Sequence, residues 1–214
     1  MIHEGRLKAL LNSHPDVTIV MAVKYLPAEA IPHAVSLGLI DLGENRVDAL
    51  LKKKAQVKDG DVRWHFIGTL QTKKVKQVID EIDVLHSLDR LKLAEEINKR
   101  RETPLPCFIQ VNISQEDQKH GVSIEELPAF LEALKAYPMV EPIGLMGMAE
   151  ETQDEGRIRQ QFRQLNEALT QHQPHLPTLK YLSMGMSNDY PIAIEEGATH
   201  IRLGRILLKQ ANGD

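Results

Sequence analysis

A chain of 214 residues, 42 % of them hydrophobic, is the size of one domain and can bury a sizeable core. Its 26 Lys and Arg against 30 Asp and Glu give a net charge of −4, which supplies no electrostatic reason to expect nucleic acid or an anionic membrane as partner. The single cysteine, Cys107, excludes an intrachain disulfide and fits a reducing, cytoplasmic setting; no apolar run approaches membrane-spanning length, and the start Met-Ile-His-Glu-Gly-Arg lacks the apolar stretch of a secretory signal.

In chain order, Glu4 to Leu11 has leucines at helical spacing and stops near Ser13-His14-Pro15. Thr18 to Tyr25 is an apolar, β-branched run that reads as a buried parallel strand ending at Lys24. Pro27 to Leu37 is an amphipathic helix closed by Gly38. Leu39 to Gly43 is a short strand, and the next helix begins at Glu44-Asn45-Arg46 and runs through Leu51. Val62 to Gly68 is the third strand, followed by a basic helix from Gln71 to Ile79. Val84 to Leu88 is the fourth strand, with a helix from Arg90 to Arg101. Cys107 to Ile113 is the fifth, with Cys107 read as a small core residue, and Ser123 caps a helix reaching Tyr137. Pro142 to Met148, a long helix from Glu155 to His172, Leu179 to Ser183, a short helix from Pro191 to Glu196, and Thr199 to Gly204 complete the alternation.

A repeating βα rhythm implies either a closed barrel or a doubly wound open sheet. Eight such units without a linker or composition shift favour a single (β/α)8 TIM barrel over residues 1–214, with an extra N-terminal helix. In such a barrel the strand ends share one face. That gathers Lys24, Asn45, His65, His86 with Ser87, Asn112, Met148, Ser183, and Arg202 with Gly204. A lysine at a strand end can have its ammonium desolvated, which frees an amine for Schiff-base chemistry, although it can also snorkel to water. The loops Ser183-Met184-Gly185-Met186-Ser187 and Leu203-Gly204-Arg205 follow strands seven and eight, where barrels often hold phosphate. An amine and a phosphate site together suit a phosphorylated carbonyl compound, either a sugar phosphate or pyridoxal 5′-phosphate (PLP). The nine histidines form no HExxH pair, no zinc spacing accompanies the lone cysteine, and GxSxG, GxGxxG and Walker motifs are absent. Lys52-Lys53-Lys54 and Lys73, Lys74 and Lys76 read as solvated helix faces, the second also as a possible docking surface.

At these residues the sequence resembles the pyridoxal phosphate homeostasis protein family, PLP-binding proteins with an alanine-racemase-like barrel of fold type III. The resemblance runs along almost the whole chain. It is carried by Lys24; Gly43-Glu44-Asn45; His65-Phe66-Ile67-Gly68 with Leu70-Gln71; Val111-Asn112-Ile113 with Glu116, Lys119 and Gly121; Gly144 to Ala149; Leu182 to Ser187 with Asp189; and Arg202-Leu203-Gly204. It implies Lys24 as the lysine that bonds PLP as an aldimine. It implies that Ser183 and the backbone N–H groups of Gly204 and Arg205 hold the phosphate. By the same resemblance Asn45 lies near the ring and its phenolic oxygen, Arg202 near the pyridine side, and His65 and Met148 line the pocket. Arg205 stands where the family often has a small hydroxyl residue; it pairs with the phosphate or points to solvent.

The function so implied is a cytoplasmic PLP carrier without robust turnover. It would be a monomer or weak dimer, with PLP-dependent apoenzymes as possible recipients and no nucleic-acid or membrane partner. A chain ending just after strand eight would lack the second β domain of fold-type-III racemases and decarboxylases, and its PLP face would stay open to water. The alternative is a small single-domain amino-acid racemase using Lys24 with His65, His86 or Tyr25 on the opposite face of the ring. A Schiff-base aldolase acting on a sugar phosphate ranks third.

Overall fold

The structure of the protein, a computed structural model, describes residues 2–58, 60–114 and 121–208. Glu116 and Lys119 lie outside the described residues. Eight parallel strands pair in sequence order and close on themselves. They are β1 Thr18–Ala22, β2 Asp41–Glu44, β3 Arg63–Phe66, β4 Val84–Leu88, β5 Leu105–Gln110, β6 Val140–Met146, β7 Tyr181–Ser183 and β8 His200–Leu203. β8 closes on β1 with Thr18 beside His200 and Met21 beside Leu203. Helix α1 (Glu4–Ser13) precedes the barrel. Between or after strands come α2 Ile31–Ser36, α3 Val47–Lys54, α4 Val75–Val78, α5 Leu91–Asn98, α6 Leu127–Leu134, α7 Glu155–His172 and α8 Tyr190–Glu195. This is the expected (β/α)8 barrel with its extra first helix.

β4 and α7 fall on the residues that periodicity marks. Elsewhere prolines trim the elements. The run from Thr18 is strand only to Ala22; Val23–Tyr25 is a 3-10 turn, closed by the Leu26 N–H donating to the Val23 carbonyl at 2.9 Å. Leu26 precedes Pro27 and is extended, as the proline ring requires. The helix expected from Pro27 splits into a 3-10 turn (Ala28–Ala30) and α2, with Pro32 in the first turn, where its missing N–H costs nothing. Ser123 does form a capping box. Its Oγ accepts the Glu126 N–H at 3.2 Å, and Glu126 Oε2 accepts the Ser123 N–H at 3.3 Å. That box closes a turn, and α6 starts after it, with Pro128 in its first turn.

The main core lies between barrel and helices. Met21, Leu42, Trp64, Phe66, Leu85, Ile109, Leu145, Leu182 and Ile201 supply it from the strands; Leu50, Ile97, Leu131 and Phe162 supply it from helices. Cys107 is part of this layer, and burial pushes its thiol pKa up, as suits an inert core residue. The lumen is different. Val84, Phe108 and Met146 form a small apolar cluster of their own, and the buried polar side chains of His65, His86, Ser183, His200 and Arg202 lie in the lumen with it. Barrel interiors are usually packed with branched apolar residues, so this polar filling demands hydrogen bonds for every member. One surface expectation is corrected here. Lys53 is not on a solvated face but is 6 % exposed, since it sits on the side of α3 that packs on β1 and β2 and finds Glu44 there as an ion-pair partner.

Candidate functional site

A cleft of about 1110 Å³ opens at the carboxyl ends of the strands. Lys24, Met148, Arg202, Gly204 and Arg205 all reach its wall. Because β1 stops at Ala22, Lys24 stands on the following 3-10 turn and is exposed. The desolvated ammonium expected at a strand end is therefore not what the fold provides. Instead Lys24 Nζ lies 4.8 Å from the centroid of the Tyr25 ring, an aromatic neighbour that also lines the cleft.

The loops after β7 and β8 form one wall of the cleft. Gly185 takes φ 93°, and a Cβ there would stand 2.6 Å from Ala193 Cβ, so the turn needs glycine for both reasons. Asp189 Oδ1 accepts the Met186 N–H at 2.5 Å and pins the loop. Burial raises the Asp189 carboxyl above its ordinary pKa; the Met186 N–H bond and the Arg202 charge oppose the rise. The backbone N–H groups of Ser187, Asn188 and Arg205 donate to no acceptor among the described residues, and all three residues line the cleft. Backbone N–H groups left without a protein acceptor on one cleft wall are the kind of donors an anion takes up. At Gly204 a Cβ would meet only Ala22, at 3.5 Å and beyond, so the space a side chain would fill there is the cleft itself. Glu150, Glu151 and Glu155 also line the cleft, with Glu150 paired to Arg157 Nε at 2.9 Å.

Arg202 forms the floor. It is 6 % exposed, and burial pulls its pKa down to about 10, with Asp189 opposing the fall. Its NH1 donates to the Ser183 carbonyl at 2.8 Å and to Ser183 Oγ at 2.7 Å, and NH2 donates to the Gly147 carbonyl at 3.1 Å. Behind it a chain of bonds crosses the lumen. Ser183 Oγ is 2.8 Å from His86 Nδ1, His86 Nε2 is 2.8 Å from His65 Nδ1, and His65 Nε2 is 2.8 Å from Asp41 Oδ1. Burial, then His65 and Arg202, push the His86 pKa well down, so it is neutral at pH 7. Burial works against ionised Asp41, but the His65 bond and the nearby cations outweigh it and hold the carboxyl below its usual pKa. Asp41 can then only accept, and Arg202 can only donate. With neutral imidazoles the bonds run one way: Arg202 donates to Ser183, Ser183 to His86, His86 to His65, and His65 to Asp41.

Of the sequence-predicted residues, Lys24, Met148, Arg202, Gly204 and Arg205 are brought together. Asn45 is exposed outside the cleft wall, beside Gly68, where a Cβ would stand 2.4 Å from the Asn45 carbonyl. Ser183 is fully buried beneath the floor, its hydroxyl held by Arg202 and His86. His65 does not line the cleft. It lies within β3 rather than at its end and points into the lumen, 0 % exposed. His86 is enclosed likewise; Ser87 Oγ bonds the Gly68 carbonyl at 2.6 Å. Asn112 lies outside the cleft, its N–H donating to the Val122 carbonyl. Sequence reasoning missed Asp41 and His200 in the lumen and Asn188 on the cleft wall. A polar residue at alternate positions of an otherwise apolar strand is the signal that marks Asp41, His65, His86 and His200 as a set. Lys73, Lys74 and Lys76 lie on the short turn and helix after β3, outside the cleft wall.

No helix among the described residues is long and apolar enough to cross a membrane, and no group of three or more His, Cys, Asp or Glu among them could hold a metal ion. The family model of the alanine racemase N-terminal domain matches residues 6–211. A pyridoxal phosphate homeostasis protein of Aquifex aeolicus is 42 % identical over 190 residues, covering 87 % of this chain and 83 % of the relative. One of Pseudomonas aeruginosa is 39 % identical over 194 residues, covering 89 % and 83 %. Among solved structures, PipY of Synechococcus elongatus with PLP bound is 32 % identical, with a TM-score of 0.87 over 96 % of this chain and 99 % of that one. The alanine racemase of Corynebacterium glutamicum, 13 % identical, shares the fold with a TM-score of 0.79 over 99 % of this chain and 62 % of its own. The barrel, the cleft and these matches agree: the chain belongs to the alanine racemase N-terminal domain family and, within it, to the pyridoxal phosphate homeostasis proteins.

Proposed function

We propose that this protein holds PLP as a Schiff base on Lys24 and takes part in PLP supply without robust catalytic turnover. One observation carries the reading: a single cleft joins the Lys24 amine, the Ser187, Asn188 and Arg205 N–H groups, and the buried Arg202 cation. Those donors fit a phosphorylated aldehyde with a heteroaromatic ring. The names of the relatives, and the PLP bound to PipY, point to the same ligand. Bound PLP supplies an aldehyde carbon that condenses with a primary amine. The residues proposed to touch it are Lys24 at the aldehyde, Gly204 and Arg205 with the β7 loop at the phosphate, Met148 against the ring, and Arg202 at the pyridine side. Ser183, the last residue of β7, is assigned to the phosphate end as the residue from which that loop leaves. Asn45 is assigned to the rim near the phenolic oxygen, and His65 acts from the lumen by holding His86.

An arginine at the ring nitrogen disfavours its protonation by like-charge repulsion, which weakens the electron sink that carbanion chemistry needs. That favours a cytoplasmic carrier passing PLP to apoenzymes, working as a monomer or weak dimer. A racemase needs a second base on the opposite face of the ring; His65 and His86 are fully buried, which leaves only Tyr25 of the three candidates at the cleft wall.

The test is an absorption spectrum of the PLP-loaded protein, wild type beside Lys24→Ala, before and after borohydride. The expected outcome is a yellow wild type whose cofactor is fixed to the Lys24 peptide, and a variant that fixes none. Saturable α-proton exchange with amino acids, lost in Lys24→Ala, would replace the carrier reading with the racemase.

A further inference from the structure

The Schiff-base lysine is not gripped by its own side chain, and the turn that carries it is held from elsewhere. Lys53 on α3 reaches inward and donates to the Val23 carbonyl at 2.7 Å. It also forms an ion pair with Glu44 Oε2 at the end of β2. The other Glu44 oxygen, Oε1, accepts the N–H groups of Asn45 at 2.8 Å and Arg46 at 3.3 Å. The two side chains are 7 % and 1 % exposed. Val23 O and Lys24 N belong to one rigid peptide plane. A charged donor on that oxygen therefore fixes the plane from which the Lys24 N–Cα bond leaves, together with the Leu26 N–H that bonds the same carbonyl.

Packing alone does not call for a charge here. A buried ion pair is costly to desolvate, and apolar residues of similar volume often serve stability as well or better. The pair does what an apolar pair cannot: it ties the turn after β1, which carries Lys24, to the end of β2, which Asn45 follows, through directional bonds.

We infer that the Lys53–Glu44 pair is a positioning device that aims Lys24 into the cleft, so that Lys53 controls how readily the Lys24 amine captures an aldehyde. This rests on Lys24 being the attachment point. Lys53 touches neither cleft nor ligand and is a positioning residue.

The double variant Glu44→Leu/Lys53→Met removes the pair without leaving a lone buried charge. PLP would be added at matched occupancy, and the fraction fixed to the Lys24 peptide by borohydride compared with total PLP bound, beside the thermal midpoint. The expected result is a midpoint near that of the wild type and a covalent fraction or capture rate lower by about tenfold or more. A merely structural role would move the midpoint and leave the covalent fraction among folded molecules unchanged, and that result would overturn the inference. If the double variant does not fold, Lys53→Arg keeps a charged donor; it is expected to retain capture, while Lys53→Gln, without the charge, loses it. Equal capture in these two single variants would equally overturn the inference. A wild type that is not labelled at Lys24 would instead remove the attachment site itself, independently of Lys53.

Discussion

Stability is expected to fall steeply as pH drops from about 6.5 to about 4, the interval between the usual histidine pKa and the value to which burial, then His65, lowers His200. The cause lies in the lumen. His86 and His200 occupy one polar interior, their ring centroids 6.3 Å apart, with Arg202 already charged beside them. A histidine whose folded pKa is depressed stays neutral when folded but takes up a proton when unfolded. Below pH 6.5 the unfolded chain therefore binds more protons, and the folded state loses ground until the folded pKa is reached. For His200 alone, the fall to about 4 corresponds to about 3 kcal/mol. His86, shifted in the same direction, adds to it. Asp41 acts on a lower window, because its depressed pKa contributes stability above the ordinary carboxylate value that is lost as pH falls further. Urea midpoints from pH 7.5 to pH 4 check this. His200→Asn, which keeps a partner for Thr199 Oγ1 in place of the 2.9 Å bond, is expected to flatten the slope. A midpoint that stays level across this range would show that His86 and His200 are not held neutral.

Gly204→Val is expected to weaken PLP uptake by about a hundredfold, about 2.7 kcal/mol, while changing the thermal midpoint little. Gly204 lines the cleft beside Arg205 on the wall formed by the loops after β7 and β8, and an added Cβ meets nothing nearer than Ala22 Cβ at 3.5 Å. Packing therefore tolerates the side chain, and the ligand does not, because the isopropyl group fills the space where an anion would approach the wall's N–H groups. Fluorescence titration with PLP beside a melting curve separates the two effects. Inorganic phosphate, tested as a competitor, should compete with PLP for the wild type and lose that competition in the variant. Undiminished PLP affinity in a folded Gly204→Val protein would move the phosphate away from this wall.

Much of this was legible in one dimension. The alternation of β-branched runs with amphipathic stretches gives the barrel, because a buried parallel strand and its covering helix each leave their own period in the sequence. Lys24, Arg202, Gly204 and the β7 loop could be assigned to one mouth, since chain order and strand polarity alone place strand ends on a common face. Other features depend on the three-dimensional closure of the sheet. Whether a strand stops two residues early is decided by neighbours, so Lys24 sits on a turn in the open, and His65 falls within its strand and faces the lumen. Asp41, His65, His86, Ser183 and Arg202 come from five different strands, and only the radius and stagger of the closed barrel bring their polar atoms to 2.8 Å or less. Lys53 is the plainest case. Within Lys52-Lys53-Lys54 it has the same charge as its neighbours, and helical phase against β1 and β2 selects it alone for burial against Glu44. Sequence by itself determined the barrel, its open end and the residue types gathered there; tertiary structure decided which of them face the cleft and which hold it in shape, because hydrogen bonds of fixed length select partners that periodicity cannot rank.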